Sequence, residues 1–334
     1  MSSLAPGTEI GGYAILRTLS EAGAFSLVYC ARPLSGSHQV VVKESFPAGA
    51  AFRDDDGKRL RARDRSVFDW ARERFEREAE FLRRHRHPHL VRVLEPPIRD
   101  NGTSYMVMEY LTGGSLRDRI ERWGRQNEEQ VRSWLDEVLA ALESVERVGT
   151  SHLDLSPDNI MFRGTGEAVL VDFGSARLAG FTPTRGTRMI TNRGYSAPEK
   201  MSRTSREIDA RADVYSLSAT VNFAMTGREP APAHDRLVGL PGVEPGSAAA
   251  RSGSRAFLAA IDTGFELAPD DRFAGAADFR RALGAPGRER TGEARPRPTA
   301  ADAGTSGDRR LRTTVRALLA FATLCILFVV VILI

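Results

Sequence analysis

The residues best suited to chemistry in this chain are Asp154, Asn159 and Asp172. Asp154 and Asn159 stand in Ser151-His152-Leu153-Asp154-Leu155-Ser156-Pro157-Asp158-Asn159-Ile160, and Asp172 follows shortly in Val171-Asp172-Phe173-Gly174. Both segments are short, polar and flanked by apolar residues, so they lie close enough along the chain to share one loop system. Together they supply one proton acceptor and two oxygen ligands for a hard divalent cation. Magnesium prefers oxygen and usually takes only one or two protein carboxylates beside the phosphates of a substrate. The set therefore suits phosphate chemistry.

The surrounding pattern indicates what positions them. From Gly12 to Val42, short apolar runs (Tyr13–Leu16, Leu27–Ala31, Val40–Val42) alternate with Gly, Ser and Pro, which predicts three antiparallel strands. Apolar positions Phe68, Ala71, Phe75, Ala79 and Leu82 recur at three- and four-residue spacing and predict a helix over 67–84. His87-Pro88-His89-Leu90-Val91 reads as a helix stop followed by a strand, not as a metal site, since its histidines lack the further ligands zinc needs. Residues 105–110 read as another strand. The clearest helix is 128–148, with Val131, Leu135, Val138, Leu139, Leu142 and Val145 on one face and Gly149 at its end. It delivers the chain to His152.

Taken together, these segments resemble the protein kinases, whose catalytic loop is H-R-D-L-x-x-x-N and whose metal-binding triplet is D-F-G. Val40-Val41-Val42-Lys43 resembles the V-A-I-K strand, and this lysine is one of only three in a chain with 47 Lys and Arg together. The runs K-E-x-F-P (43–47), H-P-x-L-V (87–91) and N-G-T-x-Y-x-V-M-E-Y (101–110) look like the bacterial serine/threonine kinases. Further likeness lies in Gly194-Tyr195-Ser196-Ala197-Pro198-Glu199, Asp213-Val214-Tyr215-Ser216-Leu217 and Pro269-Asp270-Asp271-Arg272-Phe273. The resemblance covers residues 9–283.

It implies an α+β, bilobal kinase-like fold: an N-lobe (9–109) with a small antiparallel sheet and one long helix, and a larger, mainly helical C-lobe (112–283). It implies ATP as phosphate donor, with Mg²⁺, or alternatively Mn²⁺, held by Asn159 and Asp172. Asp154 would accept or orient the proton of the substrate hydroxyl, and Lys43, paired with Glu78, would fix the phosphates. Gly23, Val28 and Val41 would cover the nucleotide from the N-lobe. Met108 would be the gatekeeper, Glu109 to Leu111 would offer backbone groups to adenine, and Met161 would close the site from below. Glu199 and Arg272 would form a buried ion pair.

The sequence also departs from the family. Leu153 replaces the arginine that in many kinases neutralises a phosphorylated activation segment, so activity is expected not to require phosphate between Gly174 and Gly194. Ser156 stands where a lysine commonly contacts the γ-phosphate, and Asn192 replaces the usual threonine of the substrate-facing loop. Glu21 and Ser26 replace two of the three loop glycines, leaving Gly23. These departures raise a competing reading, a pseudokinase scaffold. The retention of Lys43, Glu78, Asp154, Asn159 and Asp172 argues against it, because a scaffold has no physical need for all five.

The totals bound the rest. A chain of 334 residues, 42% hydrophobic and 27% charged, is long enough for one large domain or two smaller ones. Its net charge of +4 lies in the tail: residues 284–316 hold eight Arg against four acids. A basic surplus there argues for an anionic membrane surface and against nucleic acid as a partner. Cys30 and Cys325 imply no disulfide framework, and residues 1–8 resemble no signal peptide. Residues 284–310, rich in Gly, Pro and charge, read as a disordered linker. Residues 314–334 read as a single transmembrane helix with an uncharged stretch from Ala317 to Ile334. Arg309, Arg310, Arg312 and Arg316 before it place the kinase domain on the cytoplasmic side of the membrane, a tail-anchored arrangement. Such an anchor is expected to concentrate the domain near membrane-bound protein substrates or a second copy of itself, and so to allow self-association.

Overall fold

The computed structural model describes residues 3–20, 25–174, 194–201, 208–238 and 253–284. Its N-terminal strands are β1 (Glu9–Ile10), β2 (Tyr13–Ser20), β3 (Ser26–Pro33), β4 (Val40–Ser45), β5 (Ala51–Arg53), β6 (Leu60–Ala62), β7 (Ile98–Asp100) and β8 (Thr103–Glu109). Among the described residues they form a six-stranded sheet in the order β1-β2-β3-β4-β8-β7, with β5 and β6 as a separate hairpin. Every pairing is antiparallel.

The register sorts the side chains. Val28 lies opposite Lys43, Lys43 opposite Met106, and Val41 opposite Met108. Because successive side chains alternate between the faces of a strand, these residues share one face. Leu27, Tyr29, Val42, Tyr105 and Val107 share the other and form a second apolar cluster with Leu4 and Phe68. The stretch ahead of Glu9 is thus no loose tail, since Leu4 is buried and its amide donates to the Tyr29 hydroxyl.

Helix α1 (Arg65–Arg84) begins two residues earlier than periodicity predicts. Asp64 caps it, accepting from the amides of Ser66 and Val67, a polar start that an apolar repeat does not reveal. Its buried residues include Phe68, Ala71, Phe75, Ala79 and Leu82, and also Glu78. Burial of Phe68, Phe75 and Leu82 contributes roughly 1.5–3 kcal/mol each, and the alanines less.

The segment after His85 does not form the expected strand. Leu90 bridges Leu170 and Val93 bridges Met108, each as an isolated pair. The segment passes from one lobe's strands to the other's and can extend neither ladder.

The C-lobe contains α2 (Leu116–Trp123), α3 (Glu128–Glu146), β9 (Ile160–Phe162), β10 (Ala168–Leu170), α4 (Ala210–Thr226), α5 (Ala233–Leu237), α6 (Arg255–Gly264) and α7 (Ala276–Leu283). Asn127 and Gln130 close a capping box at the start of α3. Helix α4 is buried without a break from Ala212 to Met225, as befits a helix surrounded by others. Near the crossing between lobes, Gly113 packs so tightly that an added Cβ would stand 2.6 Å from the Arg163 carbonyl and 2.7 Å from that of Phe162. Among the described residues no helix is long and apolar enough to cross a membrane. The expected linker and span lie outside them.

Candidate active site

Lys43 occupies the meeting point of the two lobes. From β4 its ammonium donates to the Glu78 carboxylate of α1 at 2.9 Å and to Asp172 at 2.8 Å. Burial alone would lower its pKa, but the two carboxylates outweigh it and hold the pKa above the ordinary lysine value. Burial raises Glu78, with Lys43 opposing. Asp172 is held low, because Lys43 and the Gly174 amide outweigh its burial. The Lys43–Glu78 pairing expected from the sequence is therefore formed, and it includes Asp172 as a third member.

The catalytic loop is organised by His152. Its Nε2 lies 3.1 Å from the Val171 carbonyl, and its Nδ1 accepts from the Asp154 amide at 3.2 Å. Nε2 must therefore carry the proton and Nδ1 the lone pair, which is a neutral ring. Burial pushes the His152 pKa down to about 4, in agreement. Asn159 donates its side-chain amide to the Asp154 carbonyl at 2.7 Å, and the Val171 amide donates to the Asn159 carbonyl at 3.0 Å. Asp154, Asn159 and Asp172 are thereby brought into one system, as their spacing suggests.

Two non-glycine residues here adopt left-handed backbone, Leu153 (φ 63°) and Asp172 (φ 62°). Bulky residues rarely take this conformation unless surrounding contacts enforce it. Asp213 of α4 enforces the first, accepting from the His152 and Leu153 amides at 2.7 Å each. Burial raises the Asp154 pKa to about 6, with Lys200, Lys43 and Arg74 opposing and Asp172 adding to the rise. The Leu153 side chain is buried in the C-lobe core.

The donor set fits a hard cation. The Asp172 side chain keeps 42% exposure despite its bond to Lys43, which leaves carboxylate oxygen accessible. Asn159 directs its NH₂ to Asp154, so its oxygen faces away from that carbonyl. One carboxylate and one amide oxygen is a set that magnesium accepts while retaining water or phosphate oxygens. Gly174 keeps the space clear: a Cβ there would lie 2.9 Å from Asp172 Oδ1 and 3.7 Å from Lys43 Nζ.

The opposite end of the cleft is apolar. Val41 and Met108 are paired across β4 and β8, Leu111 is buried, and Met161 is half-buried. The Glu109 amide donates to the Arg92 carbonyl and its carboxylate accepts from Arg163, whereas the Leu111 amide makes no hydrogen bond among the described residues. Gly23 lies outside the described residues, as do Asn192 and the threonines at 182, 184, 187 and 191.

Two cations escaped the sequence reading. Arg74 stands one turn before Glu78 on the same face of α1 and donates to the Gly174 carbonyl. Its i−4 spacing from Glu78 was the available signal. Lys200 follows Glu199 and donates to the Leu153 carbonyl from a position 47 residues away. Only the scarcity of lysine marked it. The expected Glu199–Arg272 pair is present at 2.7 Å, with Arg272 buried and Glu199 partly so.

The bilobal architecture and this constellation define the protein kinase class. The family model "Protein kinase domain" matches residues 22–239, and the chain belongs to that family. Serine/threonine-protein kinase PknD of Mycobacterium tuberculosis is 31% identical over 294 residues, covering 84% of this chain and 40% of PknD. PknK of the same organism is 38% identical over 156 residues, covering 46% of this chain and 14% of PknK. PknH of Mycobacterium bovis is 32% identical over 220 residues, covering 62% of this chain and 35% of PknH. The chain thus spans well under half the length of these relatives. A solved structure described as "PpkA-294 apo form" superposes with a TM-score of 0.71 at 24% identity, covering 85% of this chain and all of that one, and supports the fold.

Proposed function

We propose that this chain transfers the γ-phosphate of ATP to serine and threonine hydroxyls of proteins. The observation that carries this reading is Lys43 hydrogen-bonded to both Glu78 and Asp172, beside a catalytic loop whose Asp154 and Asn159 are already fixed. In this reading Lys43 fixes the phosphates and Leu111 offers its free amide to the adenine edge, with Val28, Val41, Met108 and Met161 around the base and Gly23 over the phosphates. Asp154, still ionised at neutral pH, accepts or orients the hydroxyl proton. Asn159 and Asp172 hold Mg²⁺ or Mn²⁺, which when bound neutralises phosphate charge. Phosphoryl transfer asks mainly for positioning and charge neutralisation, and these residues supply both.

The scaffold reading is not favoured, since the cationic and acidic residues it does not need are assembled. The test is the full chain incubated with Mg²⁺, labelled ATP and a generic acceptor protein, beside Asp154→Ala and Lys43→Met. Transfer by the wild type alone supports the reading; equal background in all three rejects it.

We further propose that 9–283, with the stretch around the buried Leu4 packed against it, makes one domain, that 284–310 is a linker, and that 314–334 crosses a membrane once with the kinase domain in the cytoplasm. The uncharged run after four arginines supports this. Such a tether would concentrate the enzyme near membrane-bound protein substrates or a second copy of itself. Recovery of the chain in the soluble fraction after lysis would contradict it.

A further inference from the structure

We infer that Lys200 is a positioning residue for Asp154: its buried ammonium holds the Leu153 carbonyl while Asp213 holds the Leu153 amide, and this two-sided clamp sets the backbone turn that aims Asp154. Leucine at φ 63° has no polar side chain with which to hold itself there, unlike the Asn or Asp that usually occupy such positions. The constraint must come from outside. On the amide side the Asp213 carboxylate takes the N–H groups of His152 and Leu153. On the carbonyl side the only donor among the described residues is Lys200.

Lys200 is well placed for this role. It sits in a single 3-10 turn, Pro198–Met201, and is 5% exposed. The turn is fixed through Glu199, which Arg272 binds through two nitrogens at 2.7 and 3.0 Å. Arg272 in turn donates to the carbonyls of Arg211, Glu266 and Leu267. Burial lowers the Lys200 pKa, and the charges of Asp154, Asp213 and Glu199 oppose that shift. The loop itself carries no cation at Leu153 or Ser156, and the buried Ser156 hydroxyl has no hydrogen-bond partner among the described residues. Lys200 therefore supplies from the C-lobe side a charge that the loop lacks.

The test compares the full chain with Lys200→Met, which removes donor and charge, and Lys200→Gln, which keeps an N–H donor. Amide hydrogen exchange is read over 151–155 and over α3, and phosphotransfer is measured in parallel. Lys200→Met is expected to speed exchange at 151–155 by about tenfold or more with α3 unchanged, the fold-change of one lost charge-assisted hydrogen bond. The transfer rate is expected to fall roughly tenfold with KM for ATP unchanged, and Lys200→Gln to recover part of both. Unchanged exchange at 151–155, or equal acceleration in α3, overturns the inference. If Lys200→Met does not fold, Lys200→Gln is judged against the wild type by the same criterion. Only the kinetic half rests on the phosphotransfer reading: a wild type that transfers nothing defeats that reading, while the exchange comparison still decides the role of Lys200.

Discussion

Lys43 is held by two carboxylates at once, so its loss damages both the chemistry and the fold. Replacing it with methionine leaves Glu78 buried without its counter-charge, which costs about 3–5 kcal/mol when a buried pair is broken from one side. Lys43→Met is expected to lower both the melting temperature and the transfer rate, checked by calorimetry beside the kinase assay. Asp154 is different, being only partly buried and, among the described residues, in no short ion contact. Asp154→Ala is expected to cost on the order of 10²–10⁴-fold in rate, the usual worth of a positioned proton acceptor, with little change in stability. Leu153 leads to a third expectation. Its side chain belongs to the apolar core, so no cation stands at that position to receive a phosphate from the activation segment. A phosphatase-treated chain should retain its activity; loss followed by recovery on re-phosphorylation between Gly174 and Gly194 would contradict this.

At the scale of elements, α4 acts as the base on which the catalytic loop is set. Asp213→Ala removes the acceptor for two buried amides, and each unsatisfied group costs about 1–3 kcal/mol. The variant should unfold at lower denaturant concentration and lose activity beyond the loss of folded protein, as measured by urea titration and by rate per folded molecule. The hairpin β5–β6 has a comparable role in the N-lobe. Arg53 from this hairpin binds the buried Glu44, which also accepts from the Tyr29 and Tyr105 hydroxyls at 2.7 and 3.0 Å.

These elements were unequally legible. Helices α1 and α3 announce themselves because each buries one regular face, and strands β3, β4 and β8 because each is a short apolar run bounded by turn residues. The β5–β6 hairpin does not, since its strands are three residues each and the six residues joining them are charged apart from one glycine, which leaves no apolar rhythm. Asp154, Asn159, Asp172, Lys43 and Glu78 could be read as a set because their chemistry is confined to short motifs. Arg74 and Lys200 act through backbone carbonyls, at Gly174 and Leu153, and a carbonyl has no signature in sequence.

Across the whole molecule, the same logic of distant partners joins the lobes. Leu170 donates to the His89 carbonyl while Val91 donates back to Leu170, and Lys43 carries the connection from sheet to loop. The proposed role as a preassembled site for transfer to hydroxyls is open to one direct measurement. The chain, stripped of phosphate, is incubated with Mg²⁺ and ATP alongside an acceptor protein, and phosphorylated positions are mapped by mass spectrometry for the wild type and Asp154→Ala. Phosphoserine and phosphothreonine are expected in the wild-type reaction and none with Asp154→Ala. Phosphate on neither protein, or the same sites with both enzymes, would contradict it.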